Sequence, residues 1–247
     1  MDLTIGKNLR ELREKNQREQ IEIIEKLEDN GVQFVSLDGV LISPFAKIEQ
    51  GVVIYPGTII KGDSKIGKNT VLGPNTIIEN SVVGENCVIN STQIESSTLE
   101  NNVTTGPFCH IRPNCVIKNG VHLGNFVEVK NSFVDENTQA GHLAYIGDSD
   151  VGKNVNFGCG AITANYDGIN KARSKIGDGA FIGSNSNLIA PPNGINIGDD
   201  SYIAAGSTIT KDIPADALAI CRARELKIID GGAVGRYKKS KTYKIKK

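Results

Sequence analysis

The chain has 247 residues, and its 28 Lys and Arg residues balance 28 Asp and Glu residues, so the formal net charge is zero. No segment approaches the roughly 20 successive apolar residues of a membrane-spanning helix. The N-terminal residues are too charged for a secretory signal peptide, so we expect a cytoplasmic protein with no membrane partner. With 27 Gly, no Trp and 5% aromatic residues, the composition excludes a core built on large rings and favours a thin aliphatic one.

The first predicted element is an α-helix over residues 7–29, which the following Asn-Gly pair would end. Its apolar stripe is interrupted by Asn16 and Gln20, so we expect the helix to pack only at its ends. We assign residues 1–41 to this helical arm and its lead-in.

A six-residue repeat begins at Ile42 and runs, with a few intervals of five residues, to Ile209. This period does not fit a helix, whose apolar stripe returns every 3.6 residues, and it favours a β-helix in which each coil is a triangle of three hexads. Such coils stack about 4.8 Å apart, and each buries its faces on its neighbours. The sequence therefore predicts an all-β fold, a left-handed parallel β-helix over residues 42–213 with an N-terminal α-helix and a basic C-terminal tail at 214–247. The first seven aliphatic residues in register are Ile42, Ile48, Ile54, Ile60, Ile66, Leu72 and Ile78.

The fifth place of most hexads holds a small residue, as the narrow interior of such a triangle requires. Three of the five cysteines, Cys87, Cys109 and Cys115, occupy this place, so we expect them in the core. Cys159 falls at the third place of its hexad and should point elsewhere. The odd count and the lack of a Cys-x-x-Cys pair argue against a disulfide framework or a zinc site.

Two insertions interrupt the repeat. The interval from Thr163 to Ile176 is thirteen residues instead of six, which predicts a protruding loop. The segment APPNGIN at 190–196 predicts a smaller one. Binding residues concentrate on loops that leave a rigid solenoid, although a tolerated surface insertion would look the same.

Arg112 and Lys130 are both second residues of their hexads and lie 18 positions apart. One coil of three hexads would place one directly above the other, on the same edge of the prism. Stacked cations repel unless an anion lies between them, and Arg and Lys are common phosphate ligands. The pattern therefore predicts an anion site. A pair of solvated surface charges is the alternative.

His142 is the candidate general base. It stands at the third place of its hexad, near a corner and close to Tyr145. An ordinary histidine titrates near pH 6.5 and can accept a proton at neutral pH. We expect its imidazole beside the predicted anion site. His110 and His122 stand at spacings that do not suit a shared metal site, so no metal is expected.

The C-terminal tail is strongly basic. Residues 222–247 contain ten Lys and Arg residues against Glu225 and Asp230. A basic tail can bind nucleic acid, but the tail interleaves only Tyr237 and Tyr243 among its charges. We therefore expect it to serve an anionic cofactor or solubility, and we expect no nucleic-acid partner.

Seven segments of the chain resemble one bacterial enzyme family. They are GPFCHIRP (106–113), GNFVEVKNS (124–132), AGHLAYIGD (140–148), VGKNVNFGCGAITANYDGINK (151–171), FIGSNSNLIAP (181–191), IAAGSTIT (203–210) and ALAICRA (217–223). In this order they resemble the C-terminal acetyltransferase domain of the bifunctional N-acetylglucosamine-1-phosphate uridyltransferase/glucosamine-1-phosphate acetyltransferases, which are hexapeptide-repeat acyltransferases. The likeness covers nearly the whole chain, because residues 1–60 resemble that family's linker helix and first coils.

The resemblance implies transfer of acetyl from acetyl-CoA to the amine of a small amino sugar phosphate, glucosamine 1-phosphate, with His142 as general base. The sugar phosphate would be bound by Arg112, Lys130, Tyr145, Asn156 and Lys171. Acetyl-CoA would be bound by Cys159, Asn165, Tyr166, Ser184, Ala205 and Arg222, with Cys159 acting through its backbone N–H. The resemblance also implies a homotrimer of parallel prisms with sites shared between subunits, and acetyl transfer without a metal.

The chain departs from the family pattern at three points. It reads GCGAITANYDG where the family has GAGTITCNYDG, so Cys159 replaces an Ala, and the segment at 191–196 is longer. The uridyltransferase half with its metal-binding acids does not precede the repeat, so we expect synthesis of UDP-N-acetylglucosamine only with a separate uridyltransferase partner. Two alternatives stay open. One is an N-acetyltransferase for another amino sugar, and the other is a catalytically inactive trimeric scaffold for a separate nucleotidyltransferase.

Overall fold

The computed structural model describes residues 3–190 and 193–222. Its first element is the helix α1 (Leu3–Asp29). Within these ranges no helix is long and apolar enough to cross a membrane. The basic tail from residue 223 onward and residues 191–192 of the predicted second loop lie outside the described residues.

Helix α1 closes the first end of the solenoid through its last turns. Ile24 is buried and Leu27 packs against the core, whereas Leu12 is exposed. Gln20, which interrupts the apolar stripe, also contacts the solenoid, which the sequence did not reveal. Its side-chain amide donates to the backbone oxygen of Ile42 and accepts from the Ile42 N–H, both at 2.8 Å. An amide that satisfies both backbone groups of the first coil's strand anchors the helix where an apolar residue could not.

The remaining elements are short strands in nearly regular succession. The first ten are β1 (Gln33–Phe34), β2 (Leu41–Ile42), β3 (Lys47–Ile48), β4 (Val53–Ile54), β5 (Ile59–Lys61), β6 (Lys65–Ile66), β7 (Val71–Leu72), β8 (Ile77–Glu79), β9 (Val82–Val83) and β10 (Val88–Ile89). The next nine are β11 (Gln93–Glu95), β12 (Thr98–Leu99), β13 (Thr104–Thr105), β14 (His110–Ile111), β15 (Val116–Ile117), β16 (His122–Lys130), β17 (Phe133–Val134), β18 (Gln139–Gly147) and β19 (Ser149–Val151). The last nine are β20 (Asn156–Phe157), β21 (Ile162–Ala164), β22 (Ser174–Ile176), β23 (Phe181–Ile182), β24 (Asn187–Ile189), β25 (Ile195–Ile197), β26 (Tyr202–Ile203), β27 (Thr208–Ile209) and β28 (Leu218–Ala219).

All paired strands in this set are parallel, and they form three faces. The first face begins with β1, β4, β7, β10 and β13, and the second with β2, β5, β8, β11 and β14. The third face is a nine-stranded sheet that runs from β3 to β25. Strands β16 and β18 have nine residues each, because they bend around the corner between the first and second faces and contribute to both. The parallel β-helix predicted from the repeat is confirmed.

Successive coils differ slightly in length. Val53 pairs with Val71, a step of 18 residues, whereas Val71 pairs with Val88, a step of 17. The five-residue intervals seen in the sequence are therefore absorbed within coils while the strands stay in register. The ladder also extends beyond the predicted range, since Gln33 pairs with Val53 and Leu218 pairs with Tyr202.

The interior is filled by the residues that the repeat identified. Ile54, Ile111 and Ile146 are fully buried, as are small residues of the fifth place such as Thr70. The three predicted core cysteines are buried, and burial raises the pKa of Cys109 to about 12. A thiol in that state is a core side chain and not a nucleophile.

Candidate active site

A cavity of about 390 Å³ opens at the corner that follows the second face. Arg112 and Lys130 lie in adjacent coils there, because Ile111 pairs with Val129 and the Arg112 N–H donates to the Val129 oxygen at 2.8 Å. Both cations are on the same edge, as their spacing predicts. The cavity is lined by Arg112, Pro113, Asn114, Lys130, Asn131, Asp148 and Lys171.

The charges in this cavity are predominantly positive. The neighbouring Lys171 ammonium is the main reason that the pKa of Lys130 is lowered, followed by partial burial and by the charges of Lys171 and Arg112. The Asp148 carboxylate opposes this shift. A lysine whose charged form is disfavoured by neighbouring cations is stabilised by a bound anion. The arrangement is therefore suited to a phosphate group.

Arg112 already has a carboxylate partner, which the sequence did not reveal. Its Nη1 lies 2.9 Å from Oε1 of Glu128, and both side chains are about two-fifths exposed. The hydrogen bond to Glu128 is the main reason that the pKa of Arg112 is raised. An ion pair this exposed is weak, so Glu128 holds the guanidinium in position without preventing an anion from reaching it.

The predicted loop supplies Lys171. Tyr166 and Lys171 form an antiparallel bridge, and the tip residue Ile169 is 86% exposed. At one end of the loop the Asn165 side chain donates to Asp148. At the other end Arg173 binds both carboxylate oxygens of Asp150, at 2.8 and 2.6 Å. The loop is thus held at both ends, which fixes the direction from which Lys171 enters the cavity.

Tyr145 lies next to this cavity. It pairs in register with Glu128, and a Cβ at Gly147 would collide with its ring and hydroxyl. The ring therefore lies across Gly147, the residue paired with Lys130. Burial raises the pKa of Tyr145, partly offset by a hydrogen bond from Asn165.

His142 lies at a different corner, where β18 bends from the first to the second face. Its Nδ1 is 2.8 Å from Oδ1 of Asn125, the residue paired with it on β16. An amide oxygen can only accept a hydrogen bond, so Nδ1 carries the proton and Nε2 presents its lone pair to solvent. This is the tautomer that a general base at Nε2 needs. The sequence analysis did not single out Asn125.

Several candidate cofactor residues follow His142 along the same corner. Leu143 accepts a hydrogen bond from Gly160, Cys159 accepts one from Asn185, and Ser184 accepts one from Gly206. These bonds place His142, Cys159, Ser184 and Ala205 in successive coils, a column that extends over about 14 Å at the usual strand spacing. Arg222 reaches the last of them, with Nη1 2.9 Å from the Ala205 oxygen.

The expected position of His142 beside the anion site is wrong for a single chain. Lys130 pairs with Gly147, and His142 stands five residues before Gly147 on the same strand. At about 3.3 Å per residue this separates the two corners by roughly 17 Å. Asn156 is farther away, on the first face between Gln139 and Phe181. Each chain therefore carries two separated groups of candidate residues, which we call half-sites, one cationic and one with the imidazole.

No cluster of side chains within the described ranges could hold a metal ion.

The chain matches repeat models of bacterial transferases. Residues 45–80 and 96–131 match the bacterial transferase hexapeptide (six repeats), and residues 174–211 match the hexapeptide repeat of succinyl-transferase. The chain therefore carries hexapeptide repeats similar to those of bacterial transferases on a parallel β-helix.

The relatives with curated names are more specific. The chain is 48% identical over 195 residues to the bifunctional protein GlmU of Caldicellulosiruptor saccharolyticus, over 79% of this chain and 42% of that protein. It is 50% identical over 197 residues to bifunctional protein GlmU of Streptococcus thermophilus, over 80% of this chain and 42% of that protein. The chain thus spans less than half the length of these relatives. Among solved structures, the UDP-N-acetylglucosamine acyltransferase from Campylobacter jejuni is 20% identical with a TM-score of 0.43, over 74% of this chain and 70% of that one.

Proposed function

We propose that this chain transfers the acetyl group of acetyl-CoA to the amine of glucosamine 1-phosphate. The observation that carries the proposal is the cationic cavity, in which Arg112, Lys130 and Lys171 converge on a space large enough for a sugar phosphate. The similarity to GlmU proteins over about four-fifths of the chain supports the same substrate class.

The chemistry assigns a role to each half-site. Arg112, Lys130 and Lys171 bind the phosphate, while Tyr145 contacts the sugar. Nε2 of His142 accepts a proton from the amine as the nitrogen attacks the thioester carbonyl. The carbon–sulfur bond then breaks, the thiolate takes a proton, and the products are the acetamide and free CoA. A positioned base of this kind contributes about 10² to 10⁴ in rate.

The column above His142 is the proposed site for acetyl-CoA. Donors aimed at the oxygen that gains charge in the transition state supply electrostatic stabilisation, and the Cys159 backbone N–H is our candidate for that role. Ser184, Ala205 and Arg222 continue the column and provide the surface for the rest of the cofactor. The Asn165 side chain is nearly buried against Asp148, so Asn165 would contact the cofactor through its backbone, and Tyr166 through its exposed ring.

The separation of the half-sites requires a second copy of the chain. In glucosamine 1-phosphate the amine and the phosphate are borne by adjacent ring carbons, so one substrate cannot reach both corners of a single chain. His142 of one copy would therefore meet the cationic cavity of the next, and Asn156 would enter from the copy that supplies His142. Exposed apolar side chains flank the His142 corner, namely Phe126 and Leu143 at 56% and 58% exposure. Such side chains in adjacent coils suit a protein contact, and we propose a homotrimer with shared sites.

The direct test is release of CoA thiol with acetyl-CoA and defined acceptors. Turnover with glucosamine 1-phosphate but not with glucosamine supports the proposal, because only the former fills the cationic cavity. Turnover only with other amines would favour a different acceptor, and none with any amine would favour an inactive scaffold.

Shared sites are tested by mixing two inactive variants. Co-expressed His142→Ala and Lys130→Ala chains should regain activity, since a site is intact whenever an intact imidazole meets an intact lysine across an interface. Random mixing in a cyclic trimer predicts about a quarter of the wild-type sites. Neither variant alone should be active, and sites contained within one chain would give no recovery.

A further inference from the structure

Asp148 is a buried carboxylate that the proposed reaction does not use. It stands at the corner between β18 and β19, is 6% exposed, and has a left-handed φ of 46°. It lines the cationic cavity together with Lys130 and Lys171. A buried charge is costly unless it is paired, so its partners indicate its purpose.

The partners of Asp148 belong to three separate segments. Its two carboxylate oxygens accept hydrogen bonds from the side-chain amides of Asn131, in the preceding coil, and Asn165, at the start of the loop. Its backbone N–H donates to the Lys130 oxygen at 2.9 Å, and its carbonyl accepts from Ser174, at the end of the loop, at 3.0 Å. One residue thus ties both ends of the loop to the coil that bears Lys130.

The backbone at this corner does not require an acid. Asn114 and Asn131 occupy the same corner in the two preceding coils and also have positive φ, at 66° and 46°. Asn adopts this conformation readily, but its side chain has a single acceptor oxygen, so it would keep only one of the two hydrogen bonds that Asp148 accepts. An asparagine in place of Asp148 would therefore suit the backbone without the cost of a buried charge, but it would hold the loop less firmly.

What distinguishes the carboxylate is its charge among the cations. Lys130 faces Lys171 and Arg112, which lower its pKa, and Asp148 is the group that raises it. The charge of Asp148 also acts on Arg173 and Tyr145. Of the residues that line the cavity, Asp148 alone is acidic.

We propose that Asp148 is a positioning residue that ties the loop to the β16 coil and holds the Lys130 and Lys171 side chains together as one seat for the substrate's phosphate. The assignment of phosphate as the ligand rests on the proposed function. The role of Asp148 in holding both ends of the loop does not depend on that function.

The test compares Asp148→Asn with Glu136→Gln, which removes a carboxylate from an exposed pair with Lys153 on the same solenoid. A lost hydrogen bond to a charged group corresponds to about a tenfold change. Asp148→Asn should therefore raise KM for glucosamine 1-phosphate about tenfold, and leave kcat and KM for acetyl-CoA within about twofold. Glu136→Gln should leave all three unchanged.

Two further readouts separate positioning from a general structural role. Calorimetric binding of inorganic phosphate should weaken, and its loss at alkaline pH should begin at lower pH, because Lys130 no longer has the carboxylate that favours its protonated form. Trypsin should cleave after Lys171 about tenfold faster in Asp148→Asn, and Asn165→Ala, which removes one tie without removing the charge, should share the faster cleavage.

The results distinguish failure of the proposed function from failure of the proposed role of Asp148. If the wild-type chain does not acetylate glucosamine 1-phosphate, the proposed function fails, while phosphate binding and loop cleavage still test Asp148. The proposal is overturned if Asp148→Asn matches the wild type in phosphate binding and cleavage. It is also overturned if the variant does not fold, or if kcat and both KM values change in parallel with a lower Tm.

Discussion

The hydrogen bond between His142 and Asn125 leads to the sharpest prediction about catalysis. Asn125 fixes the tautomer that leaves Nε2 free, through a contact of 2.8 Å at an exposed corner. A neutral hydrogen bond contributes about 0.5 to 1.5 kcal/mol, and about 1.4 kcal/mol corresponds to a factor of ten in rate. Asn125→Ala should therefore lower kcat about two- to tenfold, whereas His142→Ala should lower it by about 10² to 10⁴.

The pH dependence of kcat/KM distinguishes a role of Asn125 in orienting the His142 imidazole from a general loss of the active site. Asn125→Asp places a carboxylate against Nδ1, which stabilises the imidazolium. The acidic limb of kcat/KM should then move to higher pH, because the base stays protonated over a wider range. Asn125→Ala should lower the plateau with little movement of that limb.

The assay is thiol release at saturating acetyl-CoA, with the oligomeric state of each variant checked in solution. If Asn125→Ala is fully active, or as inactive as His142→Ala while folded, the orienting role is refuted. An acidic limb that does not move in Asn125→Asp would show that His142 is not the group whose protonation limits the reaction.

Two other predictions concern the cavity and the core. The Lys171 ammonium lowers the pKa of Lys130, so Lys130 loses its proton at lower pH than an ordinary lysine, and the affinity for inorganic phosphate should fall early as pH rises. Lys130→Arg, which stays charged, should flatten that dependence in calorimetric titrations, and an unchanged alkaline limb would contradict the role of Lys130. In denaturant unfolding, Ile146→Ala should cost about 2 to 5 kcal/mol because the residue is fully buried. Ile169→Ala at the exposed loop tip should stay within about 0.5 kcal/mol, and equal losses for the two would refute the predicted core.

The sequence could predict which residues lie above one another in successive coils, because this stacking depends only on the length of the repeat. Once Ile111 and Val129 are recognised as equivalent places, Arg112 must lie above or below Lys130, and the structure places them so. The same counting predicted the buried places and the loop after Thr163. It did not reveal Asn125, because the coil that ends at His142 has 17 residues and not 18. Counting back across the shortened interval would have found it.

The length of the repeat could not predict which acidic side chains lie close to Arg112 and Lys130. Glu128 stands two residues before Lys130, one coil away from Arg112, and meets the guanidinium only because both side chains extend diagonally across the second face. Asp148 acquires its role from a loop whose path the repeat does not specify. Side-chain direction and loop conformation are set by local packing, which a six-residue period does not encode.

The distance between His142 and the cationic cavity within one chain has a physical consequence for the proposed reaction. A triangular coil places the third residue of one hexad and the second residue of the next at different corners, so β18 spans a full side between His142 and Gly147. A rigid solenoid cannot bring these corners together by bending, because every strand is held by its neighbours. Under the proposed function, His142 and the cationic cavity can therefore meet only across an interface between copies of the chain, where one corner lies against another. In such an arrangement the chemistry depends on assembly, and weakening the contact at Phe126 and Leu143 should abolish turnover while each chain stays folded.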